Sequence, residues 1–274
     1  MNNPIPKAAF FDIDGTLVPY DTRCISQADC GAIETLRRQG TLIFIVTGRH
    51  ISDINNIPFP VSGAVCSNGA LTYTVKDGCA RFDERDRFEL IENRPIPKRQ
   101  AIEIAQIIAK NQIPAAAVTA TRTFFCHLTT KTSEFIQRVN MPSPKQGDIL
   151  EAASNEHIYA FNLFVSPHEE KILFRDVLQG LETPRWCDEF CDVSICGLDK
   201  VLGIKRILDT YHIKPTDIIA FGDGFNDIEM LKFAGCGIAM ATATDEVRSA
   251  ADHVTASVND NGVCKWLSSF LDKA

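Results

Sequence analysis

The sequence predicts an α/β protein: a doubly wound, mostly parallel sheet interrupted by an inserted α+β segment. Three observations carry this reading. Apolar runs of strand length are near-continuous rather than alternating, the pattern of strands covered on both faces. Each run ends abruptly in polar or glycine-rich residues, and helical stretches lie between the runs, as an open α/β sheet requires. From about residue 79 to 193 the order changes, and strands and helices are mixed.

Taken in order, "KAAFF" is the first strand and leads into Asp12. "SQADCGAIETLRRQG" reads as a helix, with Ser26 as its cap and Gly40 as its stop. "TLIFIV" leads to Thr47, Gly48 and Arg49, and "GAVC" to Ser67, Asn68 and Gly69. After "NGALTYTVKDGCARFDE", residues 96–111 predict an amphipathic helix, followed by strand-like "AAAVTAT" and "TFFCHL". "TSEFIQRV", the strand "HIYAFNLFV", the helix "PHEEKILFRDVLQGL" and a strand pair reaching Cys196 complete the insert. "KVLGIKRILDTYH" places Val201, Ile204, Leu208 and Tyr211 at helical spacing. "DIIAF" then leads to Gly222, Asp223 and Gly224, and "CGIAM" to Ala241 and Thr242. "DIEMLKFAG" and "TDEVRSAAD" predict short helices, and "GVCKWLSSFLDK" a closing one. Residues 1–78 and 194–274 thus form the expected core, and 79–193 the expected insert.

Composition narrows the partners. A chain of 274 residues, 45% hydrophobic and 23% charged, can bury one large core or two ordinary ones. No apolar run reaches the roughly 18 residues of a membrane span. "MNNPIPKAAF" lacks the layout of a signal peptide, so a cytoplasmic protein is expected. A net charge of −7 without any Lys/Arg run argues against nucleic acid or an anionic membrane as partner. The ten cysteines are scattered. Cys187, Cys191 and Cys196 fit no common zinc spacing, and no C-x-x-C occurs; they read as small buried hydrophobes.

In open parallel sheets, ligands bind beyond the carboxyl ends of the strands. Asp12, Asp14, Thr47, Arg49, Asn68, Asp223 and Asp227 all fall at that edge. Like charges about 4 Å apart cost on the order of 4 kcal/mol at an effective dielectric near 20. Four acids gathered there require either that some stay protonated or that a divalent cation neutralises them. Oxygen donors without His or Cys favour Mg²⁺, which also prefers phosphate oxygens, so a phosphorylated substrate is expected. Gly15, Gly48, Gly222 and Gly224 would let backbone amides approach an anion, and the Thr47 hydroxyl could donate to it. Lys200, at a helix start, could add a positive charge.

"DIDGT", "VTGR", a downstream lysine and "GDGFND" resemble the four ordered motifs of the haloacid dehalogenase superfamily, in its phosphatase branch. "SNGA" and the large insert resemble the Cof-type subfamily with a C2B-type cap. The likeness covers about residues 7–78 and 194–262 by motif, and the insert by position and length. The resemblance implies a Rossmann-like core and roles for matching residues. Asp12 would be the nucleophile that forms an aspartyl-phosphate, and Asp14 the general acid and then base. The Asp12 carboxylate, the Asp14 carbonyl and Asp223 would hold Mg²⁺. The Ile13 amide, Thr47, the Gly48 amide, Lys200 and Asn226 would hold the phosphoryl group, and Asp227 would orient Lys200 or a metal-bound water. Val201 follows Lys200 where such proteins often carry glycine; Lys200 is preferred over Lys205 because it begins the helix before "DIIAFGDG".

The expected activity is Mg²⁺-dependent hydrolysis of a small phosphomonoester, a sugar phosphate first among them. A phosphomutase with the same nucleophile, and a catalytically silent binding protein of the same fold, are the alternatives. Arg49 and Asn68 are expected to touch the leaving group or to tie the core to the insert. Within the insert, Arg122, His127, Asn162, Arg185 and Asp188 are candidates for substrate contact, each also readable as a surface or hairpin residue. His157 and His253 read as structural. Gly78 and Gly197 are the expected hinges of an opening and closing insert.

Overall fold

The computed structural model describes residues 4–54, 57–138 and 145–272. The chain begins with β1 (Ala8–Phe11), α1 (Gln27–Arg38), β2 (Leu42–Val46), β3 (Gly63–Cys66), β4 (Leu71–Val75) and β5 (Phe88–Asn93). There follow α2 (Lys98–Asn111), β6 (Ala115–Thr119), β7 (Thr123–Cys126), α3 (Thr130–Arg138), α4 (Ile149–Asn155) and β8 (Ile158–Leu163). Next come α5 (Pro167–Leu173), β9 (Leu181–Glu182), β10 (Arg185–Cys187) and β11 (Phe190–Ile195). The last stretch is α6 (Lys200–Tyr211), β12 (Ile218–Gly222), α7 (Ile228–Phe233), β13 (Cys236–Ala239), α8 (Asp245–Ala250), β14 (His253–Val254) and α9 (Gly262–Leu271).

The chain divides into two compact units, one running to Asn93 and resuming at Asp199, the other Arg94–Leu198. The first holds an eight-stranded sheet in the order β14-β13-β12-β1-β2-β3-β4-β5. Its strands are parallel from β14 to β3. β4 and β5 then run antiparallel. Because successive side chains point to opposite faces, Phe10 stacks on Phe44 at 5.0 Å and Phe11 on Phe221 at 5.1 Å, all four fully buried. Both faces are therefore core, which accounts for the continuous apolar runs. One face packs α6 and α7 through Val201, Ile204, Ile207, Leu208 and Met230.

On α1, the Ser26 hydroxyl accepts the Asp29 amide at 3.0 Å, the cap expected from the sequence. The buried Asp29 carboxylate in turn accepts the amide of Cys264 in α9 at 2.7 Å. That bond ties the first helix to the last.

The second unit has its own core and its own antiparallel sheet, β10-β11-β8-β6-β7, with β9 pairing β11. Its limits differ from the expected 79–193. Residues 88–93 return to the first sheet as β5, where Tyr73 pairs with Leu90 and Leu71 with Asn93. β11 runs on to Ile195, which moves the other limit to Leu198. Gly78 (φ 104°) consequently lies inside the first unit, in the turn after β4, rather than at a junction; Gly197 (φ 75°) lies next to one. The helix expected from "PHEEKILFRDVLQGL" stops at Leu173, and beyond it the carbonyls of Val177 and Gln179 accept the Gln100 side-chain amide, each at 2.8 Å. Val139 and Lys273, at the ends of two expected helices, lie outside the described residues.

Candidate active site

The turn after β1 sets the site. The Ile13 carbonyl accepts the amides of Leu17 and Val18 at 2.9 and 2.8 Å, and the Gly15 amide donates to the Val18 carbonyl at 2.9 Å. Gly15 takes φ 84°, and a Cβ there would lie 2.1 Å from the Asp223 carboxylate. Only glycine allows this turn to pass so close to the end of β12. The Asp12 amide donates to the Phe221 carbonyl at 3.0 Å, which fixes Asp12 beside Asp223 across the sheet edge.

Lys200 reaches the same edge from the first turn of α6, where the Asp199 carboxylate caps the helix by accepting the Leu202 amide at 2.7 Å. Gly69 (φ 98°) lets the preceding loop approach: a Cβ there would stand 2.2 Å from the Asp199 carbonyl. The buried Lys200 ammonium donates to Asp12 at 2.5 Å and to Asp227 at 2.6 Å. Asp227 is fully committed: its second oxygen accepts the amides of Asp223 and Gly224 at 3.0 and 2.9 Å. The Thr16 hydroxyl donates to Asp223 at 2.9 Å. Thr16 is fully buried. This bond had no assignment from the sequence, although a hydroxyl directly after Gly15 was the available signal.

Carboxylate oxygens of Asp12, Asp223 and Asp227 lie within 4.8 Å of one another. Three carboxylates against one ammonium leave two negative charges unbalanced, and the protonation equilibria register it. Burial holds Asp12 well above the usual carboxylate range, against the pull of Lys200 and with the push of Asp227 and Asp223. Asp223 is pushed up to about 6, by burial first and Asp227 next, with the Thr16 bond opposing. Burial works to lower Lys200, but the charges of Asp12 and Asp227 outweigh it and raise the ammonium above its ordinary value. Tyr20 is raised to about 12 by burial, then by Asp223 and Asp14.

The site fits a hard dication. Its donors are oxygens only, and the charge deficit equals that of one divalent ion. Asp227 spends both oxygens on Lys200 and backbone amides, whereas Asp12 and Asp223 each spend one on the bonds described; these two are the better ligands.

The structure brings together three acids rather than the expected four. The Asp14 carboxylate turns to Arg49, which donates through Nε at 2.7 Å and through Nη2 to the other oxygen. Its carbonyl accepts the Tyr20 hydroxyl at 3.3 Å. Thr47, buried at the end of β2, accepts the Arg49 amide at 3.0 Å through its hydroxyl oxygen, a bond that leaves the hydroxyl hydrogen available. Asn226 donates its side-chain amide to Asn68 at 3.1 Å. Asn68 (φ 51°) stands in the left-handed region, and its amide oxygen would be 3.2 Å from a Cβ placed on Gly48. Thr47, Gly48, Asn68 and Asn226 are thereby linked along one edge.

Most candidates in the second unit are internally engaged. Arg122 pairs with Glu156 at 2.5 Å and lies over the Phe124 ring. Asn162 donates to Asp192 at 2.5 Å. Arg185 pairs with Glu170 and donates to the carbonyls of Val165 and Asp188 at 2.9 and 3.2 Å. His127 takes φ 51° at the end of β7. The His253 ring lies 6.0 Å from that of Trp266.

An acid cluster around a buried lysine thus lies at the carboxyl edge of a doubly wound sheet, the edge at which α/β proteins of this class bind their ligands. The comparisons specify the class. The family model for haloacid dehalogenase-like hydrolases matches residues 9–267. The solved structure of the phosphatase BT1666 from Bacteroides thetaiotaomicron superposes with a TM-score of 0.81 at 30% identity, covering 97% of this chain and 95% of that one. The subclass IIB sugar phosphatase BT4131 gives 0.76 at 31% identity, with 96% and 98% covered. In Bacillus subtilis (strain 168), 5-amino-6-(5-phospho-D-ribitylamino)uracil phosphatase YitU is 27% identical over 97% of this chain and 98% of its own. The chain belongs to the haloacid dehalogenase-like hydrolases, as a phosphatase of the Cof type.

Proposed function

We propose that the protein is a Mg²⁺-dependent phosphatase that hydrolyses small phosphomonoesters, sugar phosphates first among them, through a phosphorylated Asp12. The observation that carries this reading is the Asp12–Lys200–Asp227 chain, in which a buried ammonium holds a carboxylate beside Asp223 at the sheet edge. An oxygen of Asp12 forms the bond to phosphorus as the ester P–O bond breaks, and the departing oxygen takes the proton carried by Asp14. A water then forms the new P–O bond, Asp14 accepts its proton, and the Asp12–phosphorus bond breaks. Splitting hydrolysis this way replaces one difficult displacement by two easier ones.

The remaining residues position and neutralise, which is most of what phosphoryl transfer asks of a protein. Lys200, Thr47, Asn226 and the amides of Ile13 and Gly48 hold the phosphoryl oxygens, and Asp227 keeps Lys200 charged and in place. Asp12, Asp223 and the Asp14 carbonyl would hold Mg²⁺, which supplies charge neutralisation of the phosphoryl group when bound. The second unit serves as a specificity cap. The sugar preference rests on the likeness to BT4131, a sugar phosphatase; YitU takes a different phosphate ester, so a metabolite panel decides.

The test is inorganic phosphate release from a panel of phosphorylated metabolites, with and without EDTA. Asp12→Asn should lower turnover at least 1,000-fold, about 4 kcal/mol of transition-state stabilisation, and EDTA should abolish it until Mg²⁺ is restored. Turnover that survives either treatment overturns the reading.

A further inference from the structure

Arg49, read from the sequence as touching the leaving group or tying the core to the insert, makes its strongest bonds to Asp14. Its guanidinium grips both oxygens of Asp14, through Nε and Nη2, while Nη1 donates to the Asp53 carbonyl at 3.4 Å. The backbone holds the base of this arm as well, since the Arg49 amide donates to the Thr47 hydroxyl oxygen. Both side chains are about one-third exposed, so an incoming ester can reach them.

A fork of this kind can be complete only while Asp14 is a carboxylate. Guanidinium donates and never accepts, and a carboxylic acid must turn one oxygen outward as a donor. A two-pronged grip of this geometry suits a carboxylate, and a carboxylic acid in the same place would keep at most one prong. We infer that Arg49 is a positioning residue for Asp14, holding one carboxyl oxygen so that the other alternates between the guanidinium and the reacting oxygen. This deepens the proposed phosphatase mechanism and rests on it. In the first step the Asp12–phosphorus bond forms, the ester P–O bond breaks, and the freed Asp14 oxygen delivers its proton to the departing oxygen. The resulting carboxylate closes back onto the second prong, ready to take a proton from the attacking water. Lysine has no planar fork and reproduces only the charge.

Leaving-group dependence separates this role from a structural one. kcat/KM covers the steps up to phosphorylation of Asp12 and so isolates the proton delivery; kcat also includes the hydrolytic half. 4-Nitrophenyl phosphate and phenyl phosphate share a ring but differ in how much their leaving oxygen needs a proton. The ratio of their kcat/KM values should widen about tenfold or more in Arg49→Ala, less in Arg49→Lys, and to the same final extent in Asp14→Asn with or without the Arg49 change. Arg49→Gln, close in shape, is the second variant should Arg49→Ala fold poorly. An unchanged ratio with both substrates slowed alike overturns the inference, as does a further widening in the Asp14→Asn background. Asp12→Asn tells the two failures apart: retained turnover there sinks the underlying mechanism, whereas a dead Asp12→Asn with an unchanged ratio sinks only the role of Arg49.

Discussion

Lys200 is the residue on which the site's charge depends. It alone faces Asp12 and Asp227 among these buried groups, and removing one partner of such a cluster costs about 3–5 kcal/mol. Lys200→Ala should therefore lower urea-measured stability in EDTA by about 3 kcal/mol. Equal stability of the two proteins would contradict the buried geometry. Asp223 offers a pH test. Its carboxyl is raised from 3.8 to about 6 without a cation, so the folded chain keeps a proton that the unfolded chain has lost. That contribution to stability is full below about pH 4 and lost as pH rises through 6. In EDTA, Asp223→Asn should gain on the wild type between pH 4 and 6 and hold the gain above; a melting-temperature difference constant over that range would refute the shift. These acids and Lys200 were legible because strand ends and helix starts are visible in a pattern of apolar runs. The partner of Asp14 was not, since a rotamer chose Arg49 over the neighbouring acids, and the Thr16–Asp223 bond joins residues 207 positions apart.

The helix α6 places Lys200, and its first turn is held by one side chain, Asp199. Asp199→Ala should cost about 1 kcal/mol, the usual worth of an N-cap. In a chain of this size that is a fall of roughly 2 °C in melting temperature. Activity should fall further than so small a loss explains, because the lysine hangs from the loosened turn; a proportionate fall in both would separate α6 from the chemistry. The strands that feed the site were readable from their buried runs. β5 was not: "FELIEN" is half-exposed and polar at the sheet's edge, and resembles a strand of the insert as much as of the core. β14, only two residues long, gave no pattern at all.

The molecule as a whole is one discontinuous unit interrupted by another, each with a separate core. That an insert exists was legible from the change in element order; its limits were not, because the hairpin of β4 and β5 belongs to the sheet it leaves. A cation bound at the site stabilises by mass action, about 2.7 kcal/mol at a hundredfold excess over Kd. In Trp186→Phe, which keeps Trp266 as the one indole of the chain's two, saturating Mg²⁺ should raise the fluorescence melting midpoint. A midpoint indifferent to Mg²⁺ would mean that the first unit holds no such ion. The bond between Asp29 and the Cys264 amide has a consequence for synthesis. The partner of that buried carboxylate leaves the ribosome 235 residues after it. Until then the Asp29 carboxylate of the nascent α1 has no Cys264 amide to accept. A ribosome stalled before Gly262 would hold a chain in which every strand of the first sheet is made but α1 still lacks α9, the helix it is bonded to, a state for chaperones rather than for substrate.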